Sequence, residues 1–163
     1  MLLERGAGVR LEHVRSGQIA LPAGSTPEPF VDADDIADVA VAALTEDGHV
    51  GQLYELTGPR LVTFAEAADE ITEASGREIR YLPVSIEQHA ATAAEQGVPP
   101  EVVELLTYLF CEVLDGRNAH LTDGIQRALG REPRDFADYA RDAHATGVWD
   151  ASTVTNWGVP LNQ

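Results

Sequence analysis

The chain has 163 residues, 44% of them hydrophobic, which is enough material for one domain with a real core. Its 27 acidic and 11 basic residues leave a formal charge of −16, so a nucleic-acid backbone or an anionic membrane surface would be repelled and neither is expected as a partner. All 11 basic side chains are arginine, and with no lysine there is no Schiff base, no P-loop lysine and no Tyr-x-x-x-Lys proton relay.

No apolar run approaches the roughly 18 residues that span a bilayer, and "MLLERGAGVRLEHVRSGQIA" carries charges where a secretory signal needs an apolar stretch. The chain therefore reads as cytoplasmic, and its single cysteine, Cys111, suits a reducing compartment. Along the opening segment, Leu2, Leu3, Val9, Leu11 and Val14 suggest a helix that Gly6 and Gly8 weaken. "QIALPAG" follows as a short strand that Pro22 and Gly24 close with a turn.

From Ile36 the apolar positions Ile36, Val39, Ala40, Ala43 and Leu44 trace the stripe of an amphipathic helix. "GQLYELTGP" has the length and flanking glycines of a strand. Thr63 and Glu66 make a T-x-x-E capping box that opens a helix over "FAEAADEITEASG", with Gly76 as its stop. "REIRYLPV" alternates again as a strand, with Ile79 and Tyr81 on one face. Helices are then expected over "SIEQHAATAAEQG", over "PPEVVELLTYLFCEVLDG", over "LTDGIQRALG" and over "RDFADYARDAHATG". The order describes α/β units followed by a helical cap over residues 1–149, with residues 150–163 as a surface or partly flexible tail.

Four aspartates, Asp32, Asp34, Asp35 and Asp38, precede the apolar run of the second predicted helix. An EF-hand loop needs glycine at its sixth position and glutamate at its twelfth, and this spacing fails both. Asp32 is instead expected to cap the helix by accepting from the amide of Asp35, while Asp34 and Asp35 favour the positive end of the helix dipole. A catalytic carboxylate pair is the sharper alternative, and helix capping by Asp32 and Asp35 is the reading preferred here. No two of the five histidines stand at i, i+4 spacing, so no metal site is expected. Cys111 has no nearby histidine to activate it and reads as an apolar filler of its helix. No G-x-S-x-G elbow is present for a serine hydrolase.

"GQIALPAG", "PFVDADDIADVAVAALTEDGHVGQLYELTGPRLVTFAEAADEITEASGREIRYLPV" and "GIQRALGREPRDFADYARD" together resemble the C-terminal half of NmrA-like proteins, a branch of the atypical short-chain dehydrogenase/reductases. The resemblance covers residues 1–149 and implies a partial NAD(P)-binding Rossmann-like α/β fold, on the side that closes over substrate. The glycine-rich G-x-G-x-x-G loop of the nucleotide half is missing: "GAGVRL" lacks the third glycine and has no strand before it. By that resemblance Leu21, Pro22, Phe30 and Val31 border a substrate pocket, Asp35 matches the second acidic residue of the motif, and Tyr81 is a further candidate from its place on a strand. No residue is assigned to catalysis or to the cofactor.

The function implied is the substrate side of an NAD(P)H-linked oxidoreductase acting on a quinone or enone. NAD(P)H would be bound only with a nucleotide-binding half supplied. An exposed apolar face and self-association, or pairing with such a partner chain, would follow. The rivals are a cofactor-free module that binds a hydrophobic small molecule or a protein, and part of an NmrA-like redox sensor.

Overall fold

Two short parallel strands, β1 (Gln18–Leu21) and β2 (Arg80–Pro83), pair in register from Gln18 against Arg80 to Leu21 against Pro83. They belong to a computed structural model that describes residues 16–149, so the expected N-terminal helix and the tail at 150–163 lie outside the described residues. Between the strands the chain makes a crossover through α1 (Ala33–Thr45) and α2 (Phe64–Ser75), as a parallel pair requires. Four helices follow: α3 (Ile86–Glu95), α4 (Pro100–Tyr108), α5 (Gly124–Leu129) and α6 (Phe136–Ala145). The architecture is mixed α/β, as expected.

Each boundary has a local cause. In the capping box of α2, Glu66 N–H donates to Thr63 Oγ1 at 3.1 Å and Thr63 N–H donates back to Glu66 Oε2 at 2.7 Å. Gly76 ends that helix at φ 67°, a left-handed conformation that a Cβ disfavours. A second capping box, Ser85 with Gln88, opens α3 and was not anticipated from the sequence. Pro99 and Pro100 start α4, which runs into one π-helical turn over Leu109–Val113.

The core has two parts joined by the sheet. Ala68, Ile71, Ile79, Ala140 and Trp149 form one cluster, where small alanines let α2 and α6 approach closely. Leu21, Ala23, Phe64 and Phe110 form the other, and Ile19 and Tyr81 pack against both.

Four expectations need correction. "GQLYELTGP" forms no strand, because among the described residues no neighbouring strand runs beside it. Its polar groups go instead to the segment before α5: Thr122 Oγ1 donates to the Glu55 carbonyl at 2.6 Å, and Thr122 N–H donates to Thr57 Oγ1 at 3.0 Å. Asp32 does cap α1, but it accepts from Asp34 N–H at 3.0 Å, not from Asp35. Asp35 is not a cap: its buried carboxylate accepts from Arg131 Nη1 at 2.6 Å and from Arg134 N–H at 2.7 Å, far along the chain. Cys111 is exposed and fills no core, since the π turn buries its neighbour Phe110 instead.

Candidate functional site

The carboxyl ends of parallel strands are where open α/β sheets hold ligands, because the loops that leave those ends part there. In this chain β1 ends on the buried Leu21, followed by half-buried Pro22 and buried Ala23. Across the pair, the Tyr81 hydroxyl donates to the Leu21 carbonyl at 3.2 Å and ties the two strand ends together. Burial pushes the Tyr81 phenol up, so it stays neutral and able to donate.

Aromatic rings extend this edge. Phe30 meets Phe64 edge to face with centroids 5.2 Å apart, and meets Phe136 at 5.5 Å. Phe64 stacks on Tyr81 at 6.2 Å, and Phe110 packs on Leu21, Ala23 and Phe64 while its ring lies 5.2 Å from His89. The structure thus gathers Leu21, Phe30 and Tyr81 into one cluster, with Pro22 and half-buried Val31 next to them on the chain. Phe64, Phe110 and Phe136 join it unforeseen, because rings from separate helices carry no local spacing that shows they will meet.

Phe30 is held by a close backbone contact. A Cβ on Gly58 would lie 1.9 Å from the Phe30 carbonyl oxygen, so only glycine lets the two segments touch. Glu28, two residues before Phe30, exchanges two backbone bonds of 2.9 Å with Val62. Its side chain is buried, and its Oε1 has neither solvent nor a hydrogen-bond partner. Burial first, and then the nearby Asp115 carboxylate, push the Glu28 carboxyl up toward the neutral form. Sequence reading passed over Glu28; its one signal was a charged residue between Pro27 and Pro29.

The aspartates of α1 are structural by geometry. Asp35 and Asp38 both accept from Arg131, and Asp32 accepts from Arg134 Nη1 at 2.9 Å, with Arg134 also reaching Asp142. These pairs fasten the segment before α6 onto α1. A second clamp joins Arg60 to Asp135 and Glu70, each at 2.7 Å, and the Arg60 guanidinium holds the Asp135 carboxyl below the usual carboxylate range. Among the described residues no group of three His, Cys, Asp or Glu side chains could hold a metal ion.

An open hollow of about 510 Å³ lies elsewhere, lined by Leu53, Glu55, Leu121, Thr122, Asp123 and Arg127. None of its lining groups is a buried acid or base, so the aromatic edge with Glu28 is the better prepared site.

The described helix starts are acidic. Acidic residues occupy the caps or first turns throughout: Asp34 and Asp35 in α1, Glu66 in α2, Glu87 in α3, Glu101 in α4, Asp123 in α5 and Asp138 in α6. At three of them a carboxylate accepts from a backbone N–H: Asp32 from Asp34, Glu66 from Thr63 and Asp135 from Ala137.

No family model matches the sequence. The chain is 35% identical over 129 residues to an NAD(P)H azoreductase of Xenophilus azovorans, a match that covers 79% of this chain and 45% of that protein. It is 32% identical over 143 residues to an uncharacterized oxidoreductase of Bacillus subtilis, covering 86% of this chain and 50% of the relative. Among solved structures, the Citrobacter sp. triphenylmethane reductase complexed with NADP(H) superposes with a TM-score of 0.72 at 28% identity, over 83% of this chain and 47% of that one. These likenesses are consistent with the C-terminal half of an NmrA-like NAD(P)-binding protein, which the sequence motifs resemble. An Escherichia coli NADPH-dependent quinone oxidoreductase shares the fold, with a TM-score of 0.71 over 86% of this chain. The chain spans about half the length of the curated relatives it matches, and its structural neighbours include Rossmann-like reductases.

Proposed function

We propose that the chain is the substrate-side half of an NAD(P)H-linked reductase, and that its aromatic edge receives a planar, apolar acceptor of the quinone or enone kind. The observation that carries this reading is a set of exposed apolar side chains close together along the chain. Leu44 is 86% exposed, Val50 98% and Leu53 83%, beside an extended segment with no strand partner among the described residues. Large exposed apolar side chains this close along the chain are what an interface offers. A Rossmann sheet would cover them and bring the nucleotide, for which this chain's own acidic helix starts are unsuited. The azoreductase, triphenylmethane reductase and quinone oxidoreductase likenesses support a reductase acting on flat conjugated molecules.

A titration with NADPH tests the division of labour. The chain alone is expected to leave NADPH unbound at millimolar concentration, while a complex with a nucleotide-binding half binds it and oxidises it with a quinone. Micromolar binding by the chain alone would sink the reading.

A second reading is a cofactor-free module that binds a hydrophobic small molecule. It is favoured by the completeness of the cluster around Phe30, Phe64 and Tyr81, which this chain builds by itself. Ligand uptake that ignores both nucleotide and partner would select it.

A further inference from the structure

Segment 52–58 presents an open backbone edge. The Leu53 carbonyl accepts from Arg127 Nη1 at 3.4 Å and the Glu55 carbonyl accepts from Thr122 Oγ1 at 2.6 Å, so both turn toward α5 and the loop that precedes it. Carbonyls two residues apart that turn the same way are the period of an extended chain, and the N–H and C=O groups of Tyr54 and Leu56 therefore turn the other way. Among the described residues no hydrogen bond reaches any of those backbone groups. One step further on the same edge is closed, where Gly58 N–H donates to the Pro29 carbonyl at 3.4 Å.

Backbone groups in this state are completed by water or by another strand. The side chains beside the edge say which kind of strand fits. Leu53 and Glu55 share one face of the segment, and with Asp123 they line the open hollow described above. The carboxylates of Glu55 and Asp123 are both largely exposed, while Arg127 beside them already meets Gln52, Asp123 and the Tyr54 ring. A residue opposite Glu55 on an added strand would have its Cβ about 5 Å away, on that same face. Two copies of this chain joined antiparallel at this edge would set Glu55 against Glu55, like charges on molecules of −16 each, so a second copy is a poor occupant.

We propose that the edge at Tyr54 and Leu56 is a docking site for an extended segment of another polypeptide, which pairs with it through main-chain hydrogen bonds and sets a basic side chain opposite Glu55. The main-chain bonds attach the segment, and the carboxylates of Glu55 and Asp123 select its sequence. This rests on the reading of the chain as one half that pairs with a partner, and it names the contact through which the partner attaches.

The test adds to the full chain a capped octapeptide that alternates valine with arginine, and follows amide hydrogen exchange residue by residue. In the chain alone the amides of Tyr54 and Leu56 should exchange freely. With peptide at saturation both should slow about tenfold, the worth of one hydrogen bond each. The same peptide N-methylated throughout keeps every charge and loses every main-chain donor, and it should leave both amides unprotected. A version with glutamate in place of arginine should bind more weakly. Glu55→Gln should hold the arginine peptide about threefold less tightly, the usual worth of an exposed ion pair.

Protection of Tyr54 and Leu56 by the methylated peptide overturns the proposal, as does a lack of protection by the arginine peptide at millimolar concentration. Equal affinity for the arginine and glutamate peptides overturns the basic occupant. Protection that grows with the concentration of the chain alone assigns the edge to a second copy and overturns the proposal as well. NADPH binding by the chain alone, which sinks the reductase-half reading, changes none of these outcomes, so the two fail separately.

Discussion

Asp35 shows how a residue read as local turns out to be long-range. It is 2% exposed and takes hydrogen bonds from Arg131 and from the Arg134 amide, so it holds two distant parts of the chain together. Arg131→Ala would leave that carboxylate buried with the amide alone; because Arg131 is itself half-exposed, the expected loss is about 1–2 kcal/mol by chemical denaturation. Two other carboxyls shape the pH dependence with opposite signs. Asp135, held low by hydrogen bonds from Arg60, contributes stability present above its unfolded value near ~3.9 and lost as pH falls through the lower folded value. Asp135→Asn should therefore flatten the acid limb of a melting-temperature profile. Glu28 is held high by burial, so its contribution is present below its unfolded value near ~4.3 and is lost as pH rises through the folded value. Glu28→Gln should gain on wild type across that window, and a profile that runs parallel to wild type would contradict it.

Among the elements, α2 was the most legible, because everything that starts and stops it is local: Thr63 and Glu66 at one end, Gly76 at the other. Thr63→Ala removes the cap and is expected to cost about 1 kcal/mol in a denaturant titration. The extended segment 52–58 was read as a strand from its composition, yet a strand exists only when another backbone lies beside it. Thr57 and Thr122 bond its polar groups in place of a ladder. Gly58 within that stretch had no visible reason in the sequence; the reason is the Phe30 carbonyl against it. Gly58→Ala must push that backbone aside, so it should destabilise by roughly 1–3 kcal/mol, the usual cost of overpacking, and weaken ligand uptake at the aromatic edge. Unchanged uptake in a folded variant would separate Phe30 from the site.

At the scale of the whole molecule, the exposed side chains of Val41, Leu44, Val50 and Leu53 are expected to drive self-association of the chain alone. Sedimentation velocity should show a concentration-dependent dimer or larger species, and Leu44→Glu with Leu53→Glu should return it to monomer without lowering the melting temperature. A strict monomer at high concentration in the unsubstituted protein would count against the missing cover. No helix among the described residues is long and apolar enough to cross a membrane.

By itself the sequence determined the described helices, the capping box of α2, the two strands and the −16 charge, because these depend on neighbours a few residues apart or on composition alone. Its motifs also pointed to the NmrA-like half-fold and to Leu21, Phe30 and Tyr81, which the structure brings into one cluster. Only tertiary structure decided that Asp35 serves Arg131 and not its own helix, that segment 52–58 goes without a strand partner among the described residues, that Phe64, Phe110 and Phe136 complete the cluster, and that Glu28 is buried without a partner. The reason is physical: desolvation and ring contact are set by which distant segments meet, and no local spacing encodes that meeting.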